Sequence, residues 1–163
     1  MNWRKLKRLC VGSNWRTTVI RAAIIGIVAY TVCTKAFLPF MVQGDSMLPL
    51  YETGDFGFVN ALAYHWSDPK RLDVVVVRMA GKKIMFLKRV IGLPGEKVDI
   101  RGGVVHIDGV PLDEPYLKND IGWNLKEQSM GPNEYLVIGD NRGMPIEEHK
   151  FGKVDRSRLV GRM

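Results

Sequence analysis

Cysteine is scarce. Cys10 and Cys33 are the only two among 163 residues, and neither lies beyond residue 40. An internal disulfide is therefore excluded from everything after that point, and no cysteine-based metal site can be assembled. Acidic residues are missing from the first 21 positions, where Arg4, Lys5, Lys7, Arg8, Arg16 and Arg21 gather. The whole chain has 24 basic and 17 acidic residues, a formal charge of +7; setting those six aside leaves 18 against 17, or +1. The basic excess is a property of the N-terminus. It reads as a membrane orientation signal and argues against a phosphate-binding groove, so no nucleic-acid partner is expected. Beyond residue 40 there are no long helical periods, repeats or low-complexity tracts. No second apolar run is long enough to span a bilayer, Leu72 to Val77 being of strand length. The total length suits one domain plus an anchor.

What is present begins with Val19 to Met41, VIRAAIIGIVAYTVCTKAFLPFM. The uncharged stretch Ala22 to Thr34 is short against the roughly 20 residues that a bilayer needs. The long side chains of Arg21 and Lys35 can reach back to the headgroups and lengthen the span. The pattern predicts a basic cytoplasmic N-terminus over residues 1–17, a transmembrane helix over 18–38 with Pro39 at its exit, and an extracytoplasmic domain over 39–163. A cleaved leader competes with this reading, but Lys35, Phe37 and Pro39 make poor cleavage sites. A core helix competes too, but one apolar all round does not suit so small a domain.

After residue 40 the chain reads as strands and turns. Strands are predicted over Phe56 to Val59, Asp73 to Arg78, Ile84 to Ile91, Lys97 to Ile100, Val104 to Ile107 and Tyr135 to Ile138. Asp108-Gly109 reads as a hairpin turn. Residues 116–133 show no clear period and read as an irregular connection. The expected fold is mainly β, a compact antiparallel domain, with a partly closed barrel as one form that it can take. The loop Ala61 to Trp66 suits either the headgroup layer or ordinary packing.

Gly44-Asp45-Ser46 follows the apolar segment closely. A serine hydroxyl needs a neighbouring base to act as a nucleophile. The G-x-S-x-G signature is absent, and His65, His106 and His149 lie in no recognisable motif and read as surface or structural residues. The remaining base is a lysine kept neutral by burial, since a free one titrates near ~10.4. Lys88 alternates with Phe86 and Val90, so as part of a strand it points toward the interior while Arg89 points the other way. The competing readings are a solvated edge-strand lysine and, for Ser46, ordinary turn chemistry. Lys82 and Lys83 look solvated.

Three boxes in order resemble signal peptidase I: Gly44-Asp45-Ser46-Met47-Leu48-Pro49, Lys88-Arg89-Val90-Ile91-Gly92-Leu93-Pro94-Gly95-Glu96, and Gly139-Asp140-Asn141-Arg142. Val160-Gly161-Arg162 near the end agrees as well. The resemblance implies a membrane-bound serine endopeptidase of the signal peptidase fold. It would remove leader peptides from exported precursors, with Ser46 as nucleophile, Lys88 as general base and the Ser46 N–H as oxyanion donor. Gly44, Asp45, Met47, Pro49, Arg89, Gly139, Asp140, Asn141 and Arg142 would support substrate or structure. The implied partners are the precursors and the lipid bilayer; no metal or organic cofactor is implied, and the oligomeric state is not indicated. Some relatives carry a serine oxyanion donor where this chain has Gly44. After Arg142 the chain departs from the family pattern. Pro145 stands where a serine commonly bonds the lysine, and Glu147 and His149 stand where an Asp and an Arg form an ion pair, which suggests a weaker, pH-sensitive Glu147–His149 pair. Leu72 stands where a glycine begins the strand. Two other functions fit the pattern: a peptidase dedicated to one pilin or secretion-system substrate, and a non-catalytic anchored β domain that binds extended peptides.

Overall fold

The computed structural model describes residues 14–80, 84–118, 121–149 and 152–163. Cys10, most of the basic N-terminus, and Lys82 and Lys83 lie outside the described residues.

The first of two units contains helix α1, Trp15–Ala36. It is long and apolar enough to cross a membrane. Apolar side chains such as Ile20, Ile25, Ile27 and Val32 are exposed along it. Thr31 and Thr34 donate back to the carbonyls of Ile27 and Tyr30, which satisfies the hydroxyls within the helix. The helix begins three residues before the predicted start and stops at Ala36 instead of residue 38. Pro39 disfavours helical backbone at Leu38, and Phe37 is already extended at φ −119°, ψ 102°.

The second unit, Leu38–Met163, holds two sheets of mainly antiparallel strands. In chain order the strands are β1 (Phe37–Met41), β2 (Phe56–Asn60), β3 (Val74–Ala80), β4 (Ile84–Gly92), β5 (Lys97–Arg101), β6 (Val104–Ile107), β7 (Val110–Pro111), β8 (Leu125–Ser129), β9 (Glu134–Ile138), β10 (Gly152–Asp155) and β11 (Leu159–Arg162). One sheet runs β1-β2-β11-β3-β4-β9-β10 and the other β7-β6-β5-β8. The six strands predicted from β-branched and aromatic runs are present to within a residue or two. The β6–β7 turn is the expected hairpin, with Asp108 at φ 50° and Gly109 at φ 81°.

The stretch 116–133 is not wholly irregular, since it contains β8. The sequence of β8, Leu-Lys-Glu-Gln-Ser, has no alternation to read. It becomes a strand by pairing with the buried β5, Lys97 opposite Ser129 and Val98 opposite Gln128. Strands β1, β10 and β11 were likewise not predicted; each is only four or five residues long.

The core explains why the second box is so apolar. Along β9, Tyr135 and Val137 enter a cluster with Val75, Val77 and Val90. Leu136 and Ile138 enter another with Ile91, Val98, Ile100 and Trp123. Both faces of the sheet are thus covered at β4 and β9. A third cluster, Val42, Met47, Val59, Val76 and Leu87, underlies the Gly44–Pro49 turn.

Candidate active site

The turn carrying Ser46 is built from both ends. Gly44 sits at φ +90°, a conformation that glycine adopts without strain. Its N–H donates to Thr53 Oγ1 at 3.0 Å, and that hydroxyl lies 3.3 Å from Asp45 Oδ1, to which it donates. Met47 is 1% exposed within the third cluster and anchors the turn to the core. A serine at position 44 would carry a side chain into the left-handed region, so a second hydroxyl donor there needs a different backbone. Pro49 is exposed and lines a shallow cavity of about 290 Å³ with Lys118, Asp140 and Asn141.

Lys88 comes from the middle of β4, which lies between β3 and β9; the edge-strand reading is thereby excluded. Its side chain is 2% exposed, and Nζ lies 2.5 Å from Ser46 Oγ. Arg89 is directed to other partners but is buried as well, because both faces of β4 are covered. It forms a two-point pair with Asp140, Nε to Oδ1 at 2.8 Å and Nη2 to Oδ2 at 2.5 Å. Its Nη1 donates to the Leu72 carbonyl, and its guanidinium stacks 3.9 Å above the Tyr116 ring. Burial disfavours the charge of Arg89, but the hydrogen bonds and charge of Asp140 outweigh it and hold the guanidinium firmly protonated. Leu72 adopts φ 70°, a left-handed backbone that glycine, expected at this place from the family pattern, would take without strain.

The Gly139–Arg142 segment clamps the nucleophile turn. The Asn141 N–H donates to the Ser46 carbonyl at 3.1 Å, and the Asn141 side-chain amide donates to the Asp45 carbonyl at 3.0 Å. At Gly139 a Cβ would collide with the Ser46 carbonyl oxygen and the His149 ring, so only glycine permits this approach. Arg142 is 1% exposed; its Nε donates to the Gly139 carbonyl at 3.0 Å, and its Nη2 meets Glu114 at 2.8 Å. Tyr116 donates its hydroxyl to the same Glu114 carboxylate.

Gly44, Asp45, Ser46, Met47, Lys88, Arg89, Gly139, Asp140, Asn141 and Arg142 are thus brought to one place, with Pro49 at its margin. The sequence reading missed Thr53, Glu114, Tyr116 and Trp123. A buried Arg142 demands a counter-charge, but nothing local selects Glu114 among 17 acidic residues.

The segment after Arg142 differs from the sequence expectation. His149 is 3% exposed and lies against the site, its ring edge-on to Trp123 at 4.8 Å. Burial first, then the Lys88 amine when protonated and the Arg142 guanidinium, lower its pKa to about 4, opposed by the nearby Ser46 backbone. The imidazole is therefore neutral at neutral pH and cannot be the cation of a Glu147–His149 pair. His65 is exposed, and His106 lies 3.6 Å from Asp99, remote in the second sheet. In the Ala61–Trp66 loop, Tyr64 packs into the first core cluster and donates to Asp73 at 2.9 Å, while Trp66 is exposed.

A groove of about 300 Å³ opens onto Ser46, lined by Phe40, Gln43, Met85, Phe86 and Leu87 among others. It runs between the segment after β1 and the start of β4, a place where an extended chain can lie.

Residues 15–163 match the family model described as signal peptidase, peptidase S26. The chain is 35% identical over 129 residues to the signal peptidase I of Leptolyngbya laminosa, covering 74% of this chain and 64% of that protein. It is 28% identical over 163 residues to signal peptidase IB of Staphylococcus aureus, covering 89% of this chain and 85% of that protein. A crystal structure of a signal peptidase I from Enterococcus faecalis V583 superposes with a TM-score of 0.50 and 28% identity, covering 60% of this chain and 97% of the other. A match that takes in α1 and the whole β unit, together with these relatives, means that the chain belongs to the signal peptidase family, peptidase S26.

Proposed function

We propose that the protein is a serine endopeptidase that removes N-terminal leader peptides from exported precursors, with Ser46 as nucleophile and Lys88 as general base. The observation that carries this reading is the 2.5 Å approach of Lys88 Nζ to Ser46 Oγ, at a lysine buried to 2% exposure. An ammonium ion is disfavoured where water is excluded, and the neutral amine accepts a proton. As Oγ attacks the scissile carbonyl carbon, Nζ takes the Ser46 proton. The C–N bond then breaks, and the Lys88 ammonium returns the proton to the leaving amine. Water attacks the resulting ester and gives its proton to Lys88; the C–Oγ bond breaks, and Ser46 recovers the proton. The Ser46 N–H donates to the developing oxyanion. The substrate lies extended in the groove beside Gln43 and Phe86, with small side chains entering shallow pockets before the cut.

Helix α1 serves as a single-pass anchor in the cell membrane. Its basic leading residues remain cytoplasmic and residues 39–163 lie on the far side. The clamp formed by Asn141 on the carbonyls of Asp45 and Ser46 holds the nucleophile turn.

The test is cleavage of a precursor with a small-x-small site by purified full-length protein in detergent. Ser46→Ala and Lys88→Ala should each lower kcat by about 10³-fold or more while circular dichroism shows folded protein. Full turnover by Lys88→Ala would remove that residue from the mechanism. A serine-directed covalent probe should label the wild type and not Ser46→Ala; absence of labelling would favour a peptide-binding domain. Cleavage of one pilin-like precursor but no general leader would narrow the substrate to a dedicated one.

A further inference from the structure

The reaction above makes no use of His149, yet this buried ring touches the surroundings of both reacting groups. Space is tight where it meets the nucleophile turn. The volume of a single methyl group on Gly139 would be bounded by the Ser46 carbonyl oxygen and by the Cε1–Nε2 edge of His149. Trp123 packs against the ring from the second sheet's core and is itself tied to the same loop, its Nε1 donating to the Met144 carbonyl at 2.8 Å. The titratable groups facing the imidazole are Lys88 from β4 and Arg142 from the loop; the charge of Arg142 is met by Glu114. Burial first, then the Lys88 amine whenever it is protonated and the Arg142 guanidinium, favour the neutral ring, which has one N–H to give. The Ser46 carbonyl, with two lone pairs, already accepts the Asn141 N–H on one side.

We propose that His149 is a positioning residue that donates its ring N–H to the Ser46 carbonyl and so keeps the Ser46 hydroxyl within reach of the Lys88 amine. The assignment rests on the Ser46–Lys88 reading given above. It accounts for the departure after Arg142. Pro145 has no hydroxyl to offer the lysine, and in this chain alignment is imposed from the other partner, through the backbone of the nucleophile. A displacement of about 1 Å at a reacting atom can cost on the order of 100-fold in rate, so a single hydrogen bond on this carbonyl has leverage on kcat. A purely structural ring, in contrast, would need only its shape.

Full-length His149→Phe, His149→Met and His149→Gln are compared with wild type in the precursor cleavage assay at a temperature well below every melting midpoint. The two apolar replacements should lower kcat by about 10-fold or more with KM within about twofold, as expected for loss of alignment without loss of binding. Glutamine, which retains a donor, should recover most of that kcat even if its melting midpoint stays low. Apolar variants with kcat within twofold of wild type, or glutamine no better than methionine, would overturn the assignment. If His149→Phe fails to fold, the methionine–glutamine comparison decides alone. Ser46→Ala in the same assay separates the two levels. If it still cleaves, the serine mechanism fails and the role of His149 with it. If it is inactive while His149→Phe and His149→Met are normal, only the positioning role fails.

Discussion

The loop after β9 holds the nucleophile turn by two different means. Its first half, Gly139 to Arg142, works with buried charge: Asp140 against Arg89, and Arg142 against Glu114. Its second half, Gly143 to His149, works with neutral groups: the Trp123 indole on the Met144 carbonyl, and a His149 ring that burial above all keeps uncharged. Ion pairs are directional and intolerant of a missing partner. Neutral packing tolerates exchange but needs a complementary cavity. The charged half is accordingly a recognisable string in the sequence, and the neutral half is recognisable only in space.

The largest effect should come from breaking the charged half. Asp140→Asn leaves the 7%-exposed Arg89 guanidinium without its carboxylate, and the expected loss is about 3–5 kcal/mol in urea unfolding. Replacing Arg89 and Asp140 together by Met and Leu should recover much of that stability. A single mutant with near wild-type stability would show that the two halves are not different in kind.

A smaller effect sharpens the neutral half. Unfolded, His149 titrates near its ordinary value of 6.5, and in the native state at about 4. Between these values the unfolded chain binds a proton that the native one does not, so stability rises with pH. The contribution is fully present above 6.5 and is lost as pH falls toward 4. His149→Gln should flatten that part of the curve of urea midpoint against pH, and an unchanged slope would show that the ring is not held neutral.

The smallest expected change is at Leu72, beneath the Arg89 guanidinium. Replacement by glycine relieves a left-handed φ of 70°, worth about 1–2 kcal/mol. It also removes a half-buried side chain from the second core cluster, worth a similar amount. The two nearly cancel, and a net shift above about 2 kcal/mol in urea unfolding would mean that one has been misjudged.

Much of the site could be read in advance because each box answers a local requirement. Gly44 supplies a positive φ, Met47 an apolar anchor beside the serine, and Lys88 a polar tip inside an apolar alternation. The strands from β3 to β6 could be read because valine and isoleucine runs follow the pleat. Strand β8 could not, since its polar residues become a strand only when β5 offers hydrogen bonds. Glu114 and Tyr116 could not either, because the charge that needs them, Arg142, is 28 residues from Glu114.

The sequence by itself determined an apolar span and a mainly β unit, because those features reside in local pattern, while the resemblance of its three boxes named Ser46 and Lys88 as the pair to look for. Tertiary structure alone decided that Lys88 lies on an interior strand, that Arg89 is buried beside it, and that His149 is buried against the nucleophile turn. Burial and contact between residues 42 or 103 positions apart depend on how sheets stack, and no local run of side chains encodes that.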